Sequence, residues 1–297
     1  MSSSIKSASW MLFASLNFAL LNSLVKLLSK DFHLTQIIFF RSFFAVVFIL
    51  PWIFNDGIKS LKTNSYRLQI YRSFFALAAM YLWFFSISNI PLAKATAINF
   101  TAPVFGAIFA IFLLKEKIKQ RRFFAIIFSF IGALIIIRPG FIEINFFIIT
   151  ALAASILMGA AAIFIKKLSM VDHPNSIVFY MPTFLTIVSF IPCIMYWQPP
   201  NYTQCILLIA TGLTATLAHQ AISRAFALSD ATYVLIFDYI RLPITAIFAF
   251  YLFGELTSIW IWIGGLIIFA SSSYIVYREK KTGKKIASSL IARKLNQ

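Results

Sequence analysis

The sequence predicts an all-α integral membrane protein with ten transmembrane helices, arranged as two inverted five-helix repeats. Its composition is 61% hydrophobic and only 12% charged, whereas a soluble domain is about 25% charged. A set of residues also returns in the same order further along the chain. Lys26, Ser29 and His33 recur as Lys166, Ser169 and His173, each shifted by 140 positions, and Glu116 recurs as Glu255. Two copies of a unit with an odd number of spans must cross the membrane in opposite directions.

The first repeat is predicted to cover residues 8–140. A helix needs about 20 apolar residues to cross a bilayer, and the predicted spans are 10–28, 35–54, 70–88, 95–114 and 123–137. The first span has no signal-peptide cleavage pattern before or after it, so we expect it to remain in the protein. The fifth is short, about 22 Å by helical rise, and Arg122 and Arg138 flank it with side chains that can reach the interface.

The second repeat is predicted to cover residues 144–279, with spans at 146–165, 176–196, 204–226, 232–253 and 259–277. Residues 173–223 contain no Asp, Glu, Lys or Arg. Because this run is too long for one span, we expect two helices joined by a turn at 198–201. Residues 280–297 form a basic tail, which anionic lipid attracts.

Basic residues outside the spans are distributed unevenly. With the amino terminus in the cytoplasm, the inner segments hold eighteen Lys and Arg residues and the outer segments three. Because these residues concentrate on the cytoplasmic side, we expect both termini in the cytoplasm and the chain in a bacterial inner membrane. The net charge of +17 then reflects topology and a lipid-bilayer partner, and we expect no nucleic-acid partner.

The sequence lacks the usual patterns of catalysis and metal binding. It contains no phosphate-binding glycine loop, no G-x-S-x-G and no H-E-x-x-H. Cys193 and Cys205 do not form a metal-binding spacing with histidines. The longest predicted loop, 55–69, is too short for a catalytic domain. We therefore expect no enzymatic activity, no cofactor and no metal.

Ionisable residues inside the predicted spans are candidates for a functional site, because each costs about 2.5–3.5 kcal/mol on insertion scales. Asp238 and Arg241 lie near the middle of the ninth span, and their i,i+3 spacing places them on one helix face. They either bind a ligand or a proton, or form a structural ion pair. Arg41 lies two turns into the second span. His219, in the eighth, is either a proton carrier or a hydrogen-bond partner between helices.

Three further basic residues lie within about a turn of a predicted span end. They are Lys26, Arg72 and Arg224. Long basic side chains near a span end usually extend to the membrane surface. We therefore expect these three to snorkel out of the apolar region.

Several segments share a pattern with a known family. They are Pro-Leu-Ala-Lys-Ala-Thr-Ala at 91–97, Phe-Thr-Ala-Pro at 100–103, Arg-Pro-Gly at 138–140, Phe-Asp-Tyr-Ile-Arg-Leu-Pro at 237–243 and Phe-Gly-Glu at 253–255. This pattern resembles the EamA family of the drug/metabolite transporter superfamily, over about residues 8–279. The resemblance implies two inverted five-helix repeats around a central cavity, lined in part by helices 3, 4 and 9, and transport by alternating access.

Aromatic residues in these three helices are expected to form a stacking surface for a planar cargo. The candidates are Trp83, Phe100 and Tyr239. Pro103 and Pro243 fall mid-helix in corresponding spans of the two repeats. Because proline removes a backbone donor, both are expected to kink their helices at midplane depth.

These features predict a secondary active transporter of a small organic metabolite. The charges and aromatic rings favour a zwitterionic or aromatic cargo, such as an amino acid, S-adenosylmethionine or a riboflavin-like compound. The alternative is a non-transporting multi-span membrane protein, either a receptor or an assembly factor. We expect a monomer or a homodimer.

Overall fold

A computed structural model describes residues 3–114, 120–137, 146–230, 233–234, 237–256, 258–260, 262–264, 266–267 and 270. Within these residues the regular structure is helical throughout. The α-helices are α1 (Ser3–Leu28), α2 (Leu34–Asp56), α3 (Tyr66–Asn89), α4 (Leu92–Asn99), α5 (Thr101–Leu114), α6 (Gln120–Ile137), α7 (Phe146–Ser169), α8 (Pro174–Met195), α9 (Tyr202–Leu228) and α10 (Arg241–Phe253). Short 3-10 helices lie at Ile58–Leu61 and Asp238–Ile240.

Six of the described helices, α1, α2, α3, α7, α8 and α9, are long and apolar enough to cross a membrane. Large apolar side chains such as Phe54 and Phe112 are exposed on the surface. An apolar surface of this extent requires a lipid or protein covering. The chain is therefore an integral membrane protein, and the regular structure of its described residues is helical. The predicted tenth span, 259–277, falls largely outside the described residues.

The core lies between the two halves of the chain. The most extensive helix contacts join α1 to α9, α2 to α8 and α3 to α7. Each of these pairs takes one helix from each half. Neither half therefore forms a separate globule, and the buried side chains between the halves are contributed by both.

The sequence repeat extends to the pattern of burial. In α2 and α8, nine buried positions correspond with a constant shift of 140, from Thr35 and Asn175 to Ile53 and Cys193. His33 and His173 both begin these helices by accepting a hydrogen bond from the backbone N–H two residues on. Such agreement indicates that each copy packs the same faces of its helices.

Two predicted spans are interrupted rather than continuous. The fourth divides at Phe100 into α4 and α5, and the ninth contains the 3-10 helix Asp238–Ile240 directly before α10. The expected mid-helix positions of Pro103 and Pro243 are therefore corrected: each is the third residue of a new helix. A first-turn N–H has no intrahelical partner, so proline is tolerated there. A proline disfavours the helical hydrogen bond to the carbonyl four residues earlier, and each interruption lies about there.

Candidate functional site

A cavity of about 160 Å³ lies between the two halves of the chain. Every described α-helix except α6 contributes to its wall. Five of the predicted site residues line it, namely Asp238, Arg241, Arg41, His219 and Trp83. The structure thus brings together residues that are up to 200 positions apart in the sequence.

Asp238 and Arg241 form a buried ion pair at the helix interruption that precedes α10. Arg241 Nη2 donates to Asp238 Oδ2 at 3.0 Å and to Asn99 Oδ1 at 2.7 Å. Ser15 Oγ donates to Asp238 Oδ1 at 3.3 Å. Asn99 lies at the other interruption, the end of α4, so the pair connects the two broken helices with α1.

The geometry of this ion pair differs from the prediction. Asp238 and Arg241 do share a face, but Asp238 begins a 3-10 helix and Arg241 begins the α-helix after it, so they do not occupy the middle of a continuous helix. A 3-10 helix aligns residues i and i+3 closely, which brings the carboxylate and guanidinium into direct contact. Both side chains are shielded from the protein surface and line the cavity. A molecule that enters the cavity can therefore contact their polar groups.

A second polar group on the cavity wall is formed by Arg41 and His219. Arg41 Nη2 lies 3.2 Å from His219 Nε2. This contact requires His219 to accept at Nε2, because a guanidinium only donates. The rings of His219 and Phe18 also pack edge to face, with ring centroids 5.3 Å apart. Arg41 is thereby oriented by α9 although it belongs to α2.

Arg72 is a cavity residue that the sequence prediction missed. It was expected to snorkel to the membrane surface, but its side chain is fully buried and lines the cavity. Its Nη1 donates to the carbonyl of Ile177 in α8. The expectation was wrong because α3 begins at Tyr66, four residues before the predicted span. Arg72 therefore lies about two helical turns from the end.

The aromatic candidates occupy different positions relative to the cavity. Trp83 lines it and donates from Nε1 to Asn22 Oδ1 at 3.0 Å. Phe100 is fully buried, and its ring centroid lies 5.8 Å from the Arg241 guanidinium carbon, within cation–π range. Tyr239 belongs to the 3-10 helix, but its side chain lies outside the described residues.

Lys26 was also expected to snorkel, and this too is corrected. Its Nζ lies 2.6 Å from Glu255 Oε1 and donates to the Ile90 carbonyl at 2.9 Å. Both side chains are largely buried. Glu255 in turn accepts the backbone N–H of Leu92. Because Lys26 is one turn beyond Asn22 on α1, this network lies next to one end of the cavity.

In the part of the chain that the structure describes, no three His, Cys, Asp or Glu side chains are grouped to hold a metal. The polar wall consists of three guanidinium groups, one carboxylate, one imidazole and two amides. Such groups can bind an anion or a dipolar molecule through charged hydrogen bonds.

The sequence model of the EamA-like transporter family matches the chain twice, over residues 5–138 and 145–277.

The chain belongs to the EamA-like transporter family.

Two curated relatives of this EamA-like chain match nearly its whole length. The riboflavin transporter of Vibrio cholerae serotype O1 is 32% identical over 286 residues, which cover 95% of this chain and 96% of the relative. The S-adenosylmethionine uptake transporter of Rickettsia felis is 29% identical over 272 residues, 92% of each chain. A solved crystal structure matches with a TM-score of 0.74 at 13% identity and covers 98% of this chain and 99% of its own. That likeness supports the fold alone.

Proposed function

We propose that this chain is a secondary active transporter that moves a small organic metabolite across a bacterial inner membrane by alternating access. The observation that carries the proposal is the cavity between the two halves, which has charged side chains on its wall and the Asp238–Arg241 pair at a helix interruption. Interrupted helices at the interface of two repeats are a common site of substrate binding in transporters. Relatives named as riboflavin and S-adenosylmethionine transporters support a small metabolite as cargo.

The proposed architecture has ten spans in two inverted repeats, with units at 8–140 and 144–279 and a basic tail at 280–297. The shared burial pattern of α2 and α8 and the two family matches support it. The eighteen-to-three division of basic residues supports cytoplasmic termini. We propose a monomer or homodimer that acts without a cofactor or enzymatic activity.

The proposed cargo site comprises Asp238, Arg241, Arg41, His219 and Trp83. It also includes Phe100, whose ring centroid lies 5.8 Å from the Arg241 guanidinium carbon, and Tyr239, which follows Asp238 in the sequence. A volume of about 160 Å³ is smaller than the roughly 300–1,000 Å³ of sites that enclose drug-sized ligands. A cargo as large as riboflavin would therefore require the cavity to widen. Breaking the Lys26–Glu255 pair would separate α1 from the end of α10 and open one side of the cavity.

Lys166 provides the matching contact in the second copy, 140 positions after Lys26. Its Nζ donates at 2.9 Å to the carbonyls of Phe226 and Ser229. We propose that the two lysines close opposite ends of the cavity and that their networks open alternately. Pro103 and Pro243 mark the helix interruptions at which this rearrangement would take place.

The proposal is tested by counterflow in proteoliposomes that contain the purified full-length protein. Vesicles loaded with an unlabelled metabolite are placed in the same metabolite carrying a radiolabel, with riboflavin and S-adenosylmethionine tested first and an amino-acid panel next. The proposal expects transient accumulation of at least one label above protein-free vesicles. A folded protein that exchanges none of them would favour the alternative, a non-transporting receptor or assembly factor.

A further inference from the structure

Two buried arginines on the cavity wall retain unused hydrogen-bond donors. Arg41 is 2% exposed and Arg72 is fully buried. Within the described residues, Nε and Nη1 of Arg41 and Nε and Nη2 of Arg72 have no hydrogen-bond partner. Nor does either guanidinium have a described carboxylate within 4.0 Å. Four donor atoms of two positive groups therefore lack a partner among the described residues, and both side chains line one cavity.

This arrangement differs from that of Arg241, whose charge is balanced by Asp238. A buried guanidinium without a counter-charge is costly, and such groups in a membrane protein generally face a functional cavity. The contact of Arg41 with His219 does not balance the charge of Arg41, because the imidazole that accepts this hydrogen bond is neutral. Arg41 and Arg72 place two like charges on the wall of one cavity. An anion bound at this wall would offset both charges.

The two copies differ at this part of the wall. Arg41 corresponds to Met181 and Asn22 to Ala162, each 140 positions apart, and all four line the cavity. At these two positions the first copy contributes a guanidinium and an amide, whereas the second copy contributes apolar side chains. The positive charge of Arg41 therefore has no counterpart at the equivalent position of the second copy.

We infer that Arg41 and Arg72 bind an oxyanion group of the cargo, a carboxylate or a phosphate. The planar fork of a guanidinium matches the oxygen atoms of both groups and can form two parallel hydrogen bonds. His219 acts as a positioning residue that orients Arg41 from α9. The inference rests on the proposed function and makes it more specific, because it favours an anionic or zwitterionic cargo over an uncharged flavin.

The test compares ligand pairs that differ by one oxyanion. S-adenosylmethionine and its decarboxylated form probe a carboxylate, and riboflavin 5′-phosphate and riboflavin probe a phosphate. Binding of all four to purified full-length protein in detergent is measured by equilibrium dialysis. The variants are Arg41→Gln, Arg41→Lys and Arg72→Lys, and the control is Arg67→Gln, which removes the same charge from an exposed position of α3. Thermal melts establish that each variant is folded.

In at least one pair, the member with the oxyanion should bind at least about tenfold more tightly, the range expected for charged hydrogen bonds. Arg41→Gln should remove that preference, Arg41→Lys should keep part of it and Arg67→Gln should keep all of it. The two lysine variants also show which guanidinium makes the larger contribution.

Equal binding within both pairs, binding of none of the four compounds, or a preference that survives in folded Arg41→Gln would overturn the oxyanion site. These results are distinguishable from failure of the proposed function. Flux of an uncharged compound without any preference rejects the oxyanion site alone. A preference in detergent without flux in proteoliposomes rejects transport and leaves the site in place.

Discussion

Lys26 of α1 and Glu255, just after α10, form an ion pair of 2.6 Å that joins the two halves of the chain. The two residues are 229 positions apart. The pair also fixes the corner between α3 and α4, since Lys26 donates to the carbonyl of Ile90 and Glu255 accepts the N–H of Leu92. Three separate parts of the chain are thereby held together at one end of the cavity.

We predict that Glu255→Gln lowers the thermal stability of the detergent-solubilised protein. The substitution leaves the Lys26 ammonium largely buried without its counter-charge, and breaking one side of a buried pair costs about 3–5 kcal/mol. The control is Asp56→Asn, because Asp56 and His173 are about half exposed and 4.0 Å apart, and an amide oxygen can still accept the hydrogen bond that Asn175 donates to Asp56. Equal melting temperatures for the two variants would contradict the assigned role of the pair.

The packing of α9 on α2 predicts a second effect. A Cβ atom on Gly212 would lie 2.9 Å from the Phe44 carbonyl carbon and 3.0 Å from the Ala45 nitrogen. Because the backbone of α2 cannot yield as a flexible side chain would, Gly212→Ala should destabilise the protein by about 1–3 kcal/mol. Ala227→Ser, which also adds one heavy atom to α9 at an exposed position, should leave the melting temperature nearly unchanged. If Gly212→Ala melted at the same temperature as Ala227→Ser, that result would argue against this helix contact.

Membrane topology gives a third prediction. A single cysteine introduced at Gln198, in a chain whose Cys193 and Cys205 are replaced by serine, should react with a membrane-impermeant maleimide added to intact cells. Cysteines introduced in the basic tail, at 280–297, should react only after permeabilisation, because the positive-inside rule places the tail in the cytoplasm. Labelling of the tail in intact cells would contradict the ten-span topology.

Much of the candidate site could be predicted because charged residues are rare in apolar spans. Asp238, Arg241, Arg41 and His219 stand out from their neighbours in the sequence, and all four line one cavity. Arg72 was assigned to the wrong environment, since linear distance from a span end depends on where the helix starts. The four extra residues at the beginning of α3 move it into the interior.

Other features could not be predicted from residue type. Asn22 and Asn99 are uncharged, so their presence in a span does not mark them as functional, yet both face the cavity. The interruptions at Phe100 and Asp238–Ile240 leave the apolar pattern unbroken. Pro103 and Pro243 follow the two interruptions, but Pro51, Pro182 and Pro192 lie inside continuous helices, so a proline alone does not predict where a helix stops.

The most direct test of the cavity as the transport site is counterflow by Asp238→Asn and by the double variant Asp238→Asn with Arg241→Gln. If the charged pair binds the cargo or a coupling proton, both variants should exchange label at least about tenfold more slowly than the unmodified protein, as expected on loss of a charged hydrogen bond. Thermal melts establish that each variant is folded. If the pair is only structural, the double variant should exchange label nearly normally, because it leaves no buried charge without its partner. Near-normal exchange by that double variant would contradict the site.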